Sequence, residues 1–323
     1  PAYEKLLVNT MNVLNYLVRG DLNGARIESR RLAVMQRYLT EHQSEAQSLS
    51  GPGSYLAGFT FEKSGQTEQA LRYYDEALSQ SAYPSLSEPI QRLLARSGYR
   101  TARLKQSAER AGASAKPPES DEDAEILVVI SFGRVPPKLA KRVPIGLALT
   151  YASDVLSPGD VQRANYLAAQ GLVTWVNYPE LGRARGSYDR PGFALDGRWM
   201  STDAALAIDQ QARQAWDGAR GTVIAGAITR MLTRVVAGQA VRKTANEGVL
   251  GALLSLGVQA SLTAADTPDT RSWSTLPARM AIGRMRVAPG THYVSVQARG
   301  VQRRRRVDLK PGDWAVVAHT VLF

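Results

Sequence analysis

Residues Glu125–Gly133 read EILVVISFG, and this stretch divides the chain. It is a short apolar run rich in β-branched residues, with acids before it and a glycine after it. Such a run reads as a buried strand. Immediately upstream, Ala111–Glu125 (AGASAKPPESDEDAE) is small, proline-containing and acidic, without apolar periodicity, and reads as a solvated linker. Apolar residues recur at helical spacing before it, and strand-like runs dominate after it. The expected class is therefore α+β: a helical-repeat region over 1–112, a linker over 113–125 and a β-rich domain over 126–323.

In the helical part, Gly65–Leu78 (GQTEQALRYYDEAL) has the tetratricopeptide cadence. Gly65 ends one helix and Ala70 begins the packing face of the next, with Tyr74 and Ala77 following at helical spacing. Gly58, Ala70 and Ala77 are small enough for close helix approach, while Phe61 and Tyr74 fill the gaps. A looser copy places Tyr16, Gly20 and Ala25 where Phe61, Gly65 and Ala70 stand. The offset is 45 residues, against about 34 for the usual repeat. It implies an extended second helix, Leu22–Ser48, closed by the breaker at Ser50–Ser54. Further helix follows over Ser87–Ala111. Repeats of this kind bury their faces only by stacking and commonly hold a peptide or subunit. Tyr16, Arg30, Phe61, Tyr73 and Tyr74 are the candidate partner-binding residues; packing against the second domain is the alternative use of the same surface.

Beyond Gly133, strands are expected near Pro144–Leu149 and over Leu172–Leu181, the latter ended by Pro179. A helix is expected over Val161–Gln170, with Ser157 as cap and Pro158 in the first turn. A long amphipathic helix is expected over Ser201–Lys243, capped by Thr202 and kinked or broken at Asp217–Thr222. Gly248–Ala265 is an 18-residue uncharged run, close to the ~20 residues that span a bilayer. Its serines, threonine, glutamine and glycines favour a buried, tightly packed helix instead. From residue 277 to 323 the period becomes two, with Pro-Gly turns at Pro289–Gly290 and Pro311–Gly312, as in a small C-terminal antiparallel sandwich or sheet. Between helix and sheet lies Asp269–Met280 (DTRSWSTLPARM). Asp269, Arg271 and Trp273 read as a structural latch, with Trp273 mostly buried and Trp273→Ala costing roughly 3–5 kcal/mol.

The 323 residues contain no cysteine, which excludes disulfides, thiol nucleophiles and thiolate metal sites, and suits an exported bacterial protein as well as many cytosolic ones. Net charge is +11. Residues 1–112 contribute 14 basic and 11 acidic groups, 113–125 one and five, and 126–323 carry 25 and 13. The surplus suits nucleic acid, anionic lipid or acidic glycan, and equally a surface whose default cation is arginine. Its densest run is Arg303, Arg304, Arg305 and Arg306, candidate contacts for an anion or lipid. In a strand, Arg304 and Arg306 share a face with Asp308, and Arg303 and Arg305 share the other. The run lacks interleaved aromatics, which argues against nucleic acid. The three histidines, His42, His292 and His319, fall in no metal or triad spacing, and no phosphate loop or nucleophile elbow occurs. No catalytic, cofactor-binding or metal-ligating residue is assigned.

Five segments together resemble a family of bacterial envelope lipoproteins with N-terminal tetratricopeptide-like repeats. They are YEKLLVNTMNVLNYLVRGDLNGARIESRR, the 65–78 repeat, VVISFGRVPPKLAKRVPI, IAGAITRMLTRVV and DTRSWSTLPARMAIGRMRVAPGTHYVSV. The resemblance implies a signal peptide and lipid-modified cysteine upstream of Pro1, and an outer-membrane-anchored periplasmic location. Proteins of this kind look similar to activator lipoproteins of penicillin-binding proteins. The family carries no assigned catalytic residues to transfer. The expectation is a non-enzymatic scaffold in envelope assembly that binds envelope proteins through its repeats. The alternatives are an oligomeric ring or tube subunit of an envelope machine, or an enzyme acting on acidic envelope glycan.

Overall fold

A computed structural model describes residues 2–42, 51–112, 123–171, 175–187, 191–244 and 267–323. The protein is a mixed α+β chain. Contacts divide it into two compact units: Pro1–Val135 with Ala184–Ala212 and Ser274–Phe323, and Pro136–Arg183 with Arg213–Trp273.

In the first unit, β1 (Ala124–Phe132) is buried along its whole length. It lies inside a sheet with β6 (Leu206–Ala207), β7 (Arg279–Val287) and β10 (Trp314–Val321), in the order β10-β1-β7-β6. The β10 pairing is parallel and the β7 pairing antiparallel. A second sheet, all antiparallel, has the order β5-β4-β8-β9, from β4 (Gly192–Leu195), β5 (Arg198–Met200), β8 (Gly290–Ala298) and β9 (Val301–Leu309). Ile126, Val128, Ile130 and Phe132 pack with Phe193, Val294 and Val296 of the second sheet. The other face of β1 carries Glu125, which meets helix residues. Both faces are therefore covered, which is why this strand, parallel to one neighbour and antiparallel to the other, reads as a continuous apolar run and not as an alternation.

The helices of this unit are α1 (Ala2–Val18), α2 (Leu22–His42), α3 (Gly51–Lys63), α4 (Thr67–Gln80), α5 (Ser87–Leu94) and α6 (Ala102–Gly112). The first four form two hairpins closed by the same turn. Asp21 N donates to Tyr16 O, and Gln66 N to Phe61 O, each at 2.9 Å. Gly20 and Gly65 hold left-handed φ values of 71° and 73° between them, a conformation that glycine adopts without a Cβ penalty. Ala25 and Ala70 then enter the second helix fully buried. At Gly58, a Cβ would stand 2.4 Å from the Tyr74 ring. The glycine thus lets α3 and α4 touch, as the spacing of small residues predicts.

The second unit holds the two-stranded antiparallel pair β2 (Lys138–Pro144) and β3 (Trp175–Leu181), the helices α7 (Ile145–Tyr151) and α8 (Pro158–Ala169), and most of α9 (Ile208–Thr244). Its core gathers Val143, Leu149, Leu167, Tyr178, Trp216 and Ile228. Ser157 caps α8 by accepting from Asp160 N, and Pro158 occupies the first turn, as expected of that pair.

Several sequence expectations change. Contacts do not part the chain at 113–125: the helices and β1 belong to one unit, because β1 buries a face on each side. Residues 113–122 lie outside the described ones, as does Gly248–Ala265. The second helix of the first hairpin is described to His42, and Gly51–Ser54 open α3 instead of breaking a helix; Pro52 sits in the first turn, where its missing N–H costs nothing. The strand expected at Pro144–Leu149 is β2 just before it, and Ile145 starts α7. Pro179 lies within β3, opposite Ala140, which is tolerated because a two-stranded pair leaves each strand an open edge. The long helix begins at Ile208, not at Ser201, and runs unbroken through Asp217–Thr222. Asp203 is diverted: its N–H donates to Ile282 O and its carboxylate accepts from Ser85, so the preceding segment runs beside β7. Of the two forms expected for the C-terminal strands, the single sheet gives way to the sandwich: β7 and β10 lie in one sheet, β8 and β9 in the other. Trp273 is largely but not fully enclosed.

Candidate functional site

The most concentrated chemistry in the first unit is a buried ion network where the helices meet β1 and β7. The Arg284 side chain is 1% exposed. Its Nε donates to Glu125 Oε1 at 2.5 Å and its Nη2 to Glu125 Oε2 at 2.9 Å. Nη2 also reaches Glu62 Oε1 at 2.7 Å, and Nη1 donates to the Tyr74 hydroxyl at 2.8 Å. Tyr74 in turn donates to Glu62 Oε2 at 2.6 Å. Lys63 pairs with Glu125 and, at 3.3 Å, with Glu62. The Phe59 ring lies 4.9 Å from the Arg284 guanidinium carbon.

Burial pushes both carboxyls up, but Arg284 and Lys63 outweigh it, so Glu62 and Glu125 are held below the usual carboxylate range. Burial raises the Tyr74 phenol well above its ordinary value. The acids are fully ionised, enclosed and saturated with donors. Such a cluster joins elements and leaves no face for a substrate. Its signal in the sequence is faint: one acid at the edge of an apolar strand and one arginine amid MAIGRMRV.

Two smaller clusters are also structural. Asp203 accepts from Ser85 N at 3.1 Å and from its hydroxyl, while burial raises its carboxyl. Ser85 and Tyr55 share a hydrogen bond at 2.8 Å. The Ser85 hydroxyl donates to the Asp203 carboxylate, and no imidazole takes part in these contacts. In the second unit, Glu180 accepts from Tyr178 Oη at 2.7 Å, Trp216 Nε1 at 3.1 Å and Lys141 Nζ at 3.0 Å. Burial opposes its ionisation, but these donors win and its carboxyl lies below the usual range. Among the described residues no group of three or more histidines and acids is placed to hold a metal ion.

Comparison with models of protein families, with curated proteins and with solved structures finds no match.

The proposed partner-binding residues separate. Phe61, Tyr73 and Tyr74 are buried, so they cannot receive a partner at the surface: Phe61 stacks on Tyr73 with ring centroids 5.2 Å apart, and Tyr74 belongs to the ion network. Tyr16 is half-buried and Arg30 exposed. What the hairpin does present is the outer face of α2. Ile27, Val34 and Tyr38 are exposed there, Val34 by 70%. Their spacings of seven and four residues put them on one stripe. Arg30, Arg31 and Arg37 flank the stripe, all exposed. The sequence reading missed this face because it credited the aromatic residues of the repeat, which the core had already claimed.

Arg303, Arg304, Arg305 and Arg306 are exposed on β9, an edge strand. They alternate as expected. Arg306 pairs with Asp308 at 3.0 Å, and the Arg304 guanidinium stacks 4.1 Å over the Tyr293 ring. Arg303 and Arg305 occupy the opposite face. At the latch, Asp269 accepts from Arg271 through Nε at 2.9 Å and Nη2 at 2.8 Å. Arg271 is 91% exposed, so this pair braces its own loop. Among the described residues no helix is long and apolar enough to cross a membrane.

Proposed function

We propose that this chain is a non-catalytic scaffold of the bacterial cell envelope, anchored in the periplasm, that docks a protein partner on the outer face of α2. The observation that carries the reading is the exposed stripe Ile27–Val34–Tyr38 between Arg30, Arg31 and Arg37. An apolar stripe left uncovered on one helix face is a docking surface for an amphipathic segment. The arginines select a segment with acidic flanks, because complementary charge steers encounter and fixes register. The envelope setting is supported by the absence of cysteine and by the resemblance described above.

The first unit shapes the test. Removing residues 1–112 also removes Glu62, Lys63 and Tyr74 from around Arg284 and Glu125, so loss of binding would report unfolding. Point changes on the exposed face avoid this. A photo-crosslinking residue at position 34 of the anchored protein is expected to capture an acidic segment of another protein. Arg30→Glu with Arg37→Glu is expected to abolish that product while leaving thermal unfolding unchanged. A product that survives the charge reversal, or one that joins two copies of this chain, overturns the reading.

A further inference from the structure

One edge of the sandwich carries cationic groups that the fold does not use. β9 ends the second sheet and β10 ends the first, and the two strands lie side by side. A tight turn joins them, with Asp313 N donating to Lys310 O at 3.0 Å. Strand alternation puts Val301, Arg303, Arg305, Val307 and Leu309 on the core side of β9, and Ala315, Val317, His319 and Val321 on the core side of β10. Every apolar member of these two rows packs on the sandwich core. Arg303, Arg305 and His319 interrupt them.

Among the described residues, Arg303 and Arg305 make no ion pair and no hydrogen bond, whereas Arg304 and Arg306 on the opposite face are engaged. His319 Nε2 is enclosed by protein and has no hydrogen-bond partner. A buried ring nitrogen left so costs roughly 1–3 kcal/mol. Two arginines that share a strand face unpaired also repel each other, being about 7 Å apart along the strand. Burial, and then Arg303 and Arg305, hold the His319 imidazole below its ordinary range. The two guanidinium groups are thus near enough for the ring to feel them.

We propose that Arg303, Arg305 and His319 form a binding site for a phosphate-type oxyanion at this open edge. A tetrahedral anion presents acceptor oxygens in several directions. One set can take the two forks reaching from β9 while another accepts from His319 across the seam, which a planar carboxylate does less well. The anion cancels the repulsion between the arginines and accepts from the Nε2–H that otherwise lacks a partner. This site is distinct from the α2 face and does not depend on it. The same chemistry is offered by free phosphate groups and by phospholipid headgroups.

The experiment follows the side-chain NMR signals of the three histidines through pH titrations of the whole chain, in inorganic phosphate and in chloride at equal ionic strength. Phosphate is expected to raise the His319 midpoint saturably and to leave those of His42 and His292 in place. Arg303→Gln with Arg305→Gln is expected to weaken phosphate binding by roughly tenfold or more. Arg304→Gln with Arg306→Gln is expected to leave it unchanged. Native His42 and His292 signals in each variant confirm that it is folded. A flotation arm uses phosphatidylcholine vesicles with and without phosphatidylglycerol. Anionic-lipid binding lost only in the 303/305 variant assigns the site to headgroups; a phosphate response without flotation assigns it to soluble phosphate groups. A His319 signal indifferent to phosphate, together with flotation unaffected by the 303/305 substitutions, overturns the proposal.

Discussion

Arg284→Met is the sharpest probe of how the first unit is held together. The parent guanidinium contacts both Glu62 and Glu125, the Tyr74 hydroxyl and the face of Phe59. Methionine fills similar volume and removes the charge. Two buried carboxylates then share only Lys63 close by, with Arg92 at 3.7 Å from Glu125 and 3.9 Å from Glu62. Removing one partner of a buried pair costs 3–5 kcal/mol, so the expected loss at pH 7 is about 4 kcal/mol. With an m-value of about 3 kcal/mol/M, the urea midpoint falls by roughly 1.3 M. Trp314, 5.7 Å from Phe59 between ring centroids, provides the fluorescence signal.

The pH dependence supplies the stricter criterion. In the parent, both carboxyls lie below their unfolded values. Their contribution is complete above about pH 4.5 and is lost only as pH falls toward the folded values, so these two carboxyls add no slope to the parent between pH 7 and 5. In the variant, burial acts on the acids without Arg284, and their folded values rise. Protonation then relieves the variant as pH falls, and the gap to the parent narrows. Adding Glu125→Gln restores one acid to one base and is expected to recover about 2 kcal/mol. A variant within about 1 kcal/mol of the parent at pH 7, or a gap that stays constant down to pH 5, refutes the reasoning.

Five further outcomes follow from the geometry. Gly58→Ala drives a methyl to 2.4 Å from the Tyr74 ring, which Glu62 and Arg284 hold in place, and is expected to cost about 1–3 kcal/mol. Gly24→Ala makes a similar 2.3 Å approach to half-buried Tyr16, but that ring can swing outward and about 1 kcal/mol of helix propensity is recovered; thermal melts should separate the two variants clearly. Burial opposes protonation of His292, yet Asp196 and the Ala288 carbonyl raise it above 6.5. Its contribution is present below that pH and fades as pH rises through the folded value, so His292→Gln should flatten the fall of melting temperature that sets in as pH rises above about 6.5. Largely enclosed Trp273 is expected to cost roughly 1–2 kcal/mol as alanine, while exposed Arg271→Ala should leave the urea midpoint where it is.

The strand at Glu125–Gly133 was legible because β-branched residues in an uninterrupted run have few other uses, and the hairpin turns were legible because Gly20 and Gly65 mark left-handed caps. The division of the chain was not. A proline-rich acidic segment looks the same whether it joins two domains or two layers of one, and only the buried opposite face of β1 distinguishes them. Thr202 and Asp203 resemble a helix start in isolation, but Ser85, 118 residues away, competes for the carboxylate. Long-range partners also decided the fate of the aromatic residues: Phe61, Tyr73 and Tyr74 have the right types for a binding surface, but their spacing faces the core. Of the cationic run, alternation alone separated two arginines from the other two, and finding His319 beside them required knowing which sheet edges meet.

The parallel pairing of β1 with β10 has a bearing on biosynthesis. Ala124–Phe132 leaves the ribosome long before Trp314–Val321 is made, and its other neighbour, β7, also comes from the last fifth of the chain. Until then a nine-residue apolar strand has both hydrogen-bonding edges unmet, while the second unit, encoded almost wholly in between, already has its strands and helices at hand. Contacts this distant in sequence form slowly, and open apolar strands invite wrong pairings. The nascent chain thus passes through a vulnerable interval set by its topology, in which truncation at any point before residue 314 leaves β1 permanently unshielded on one side.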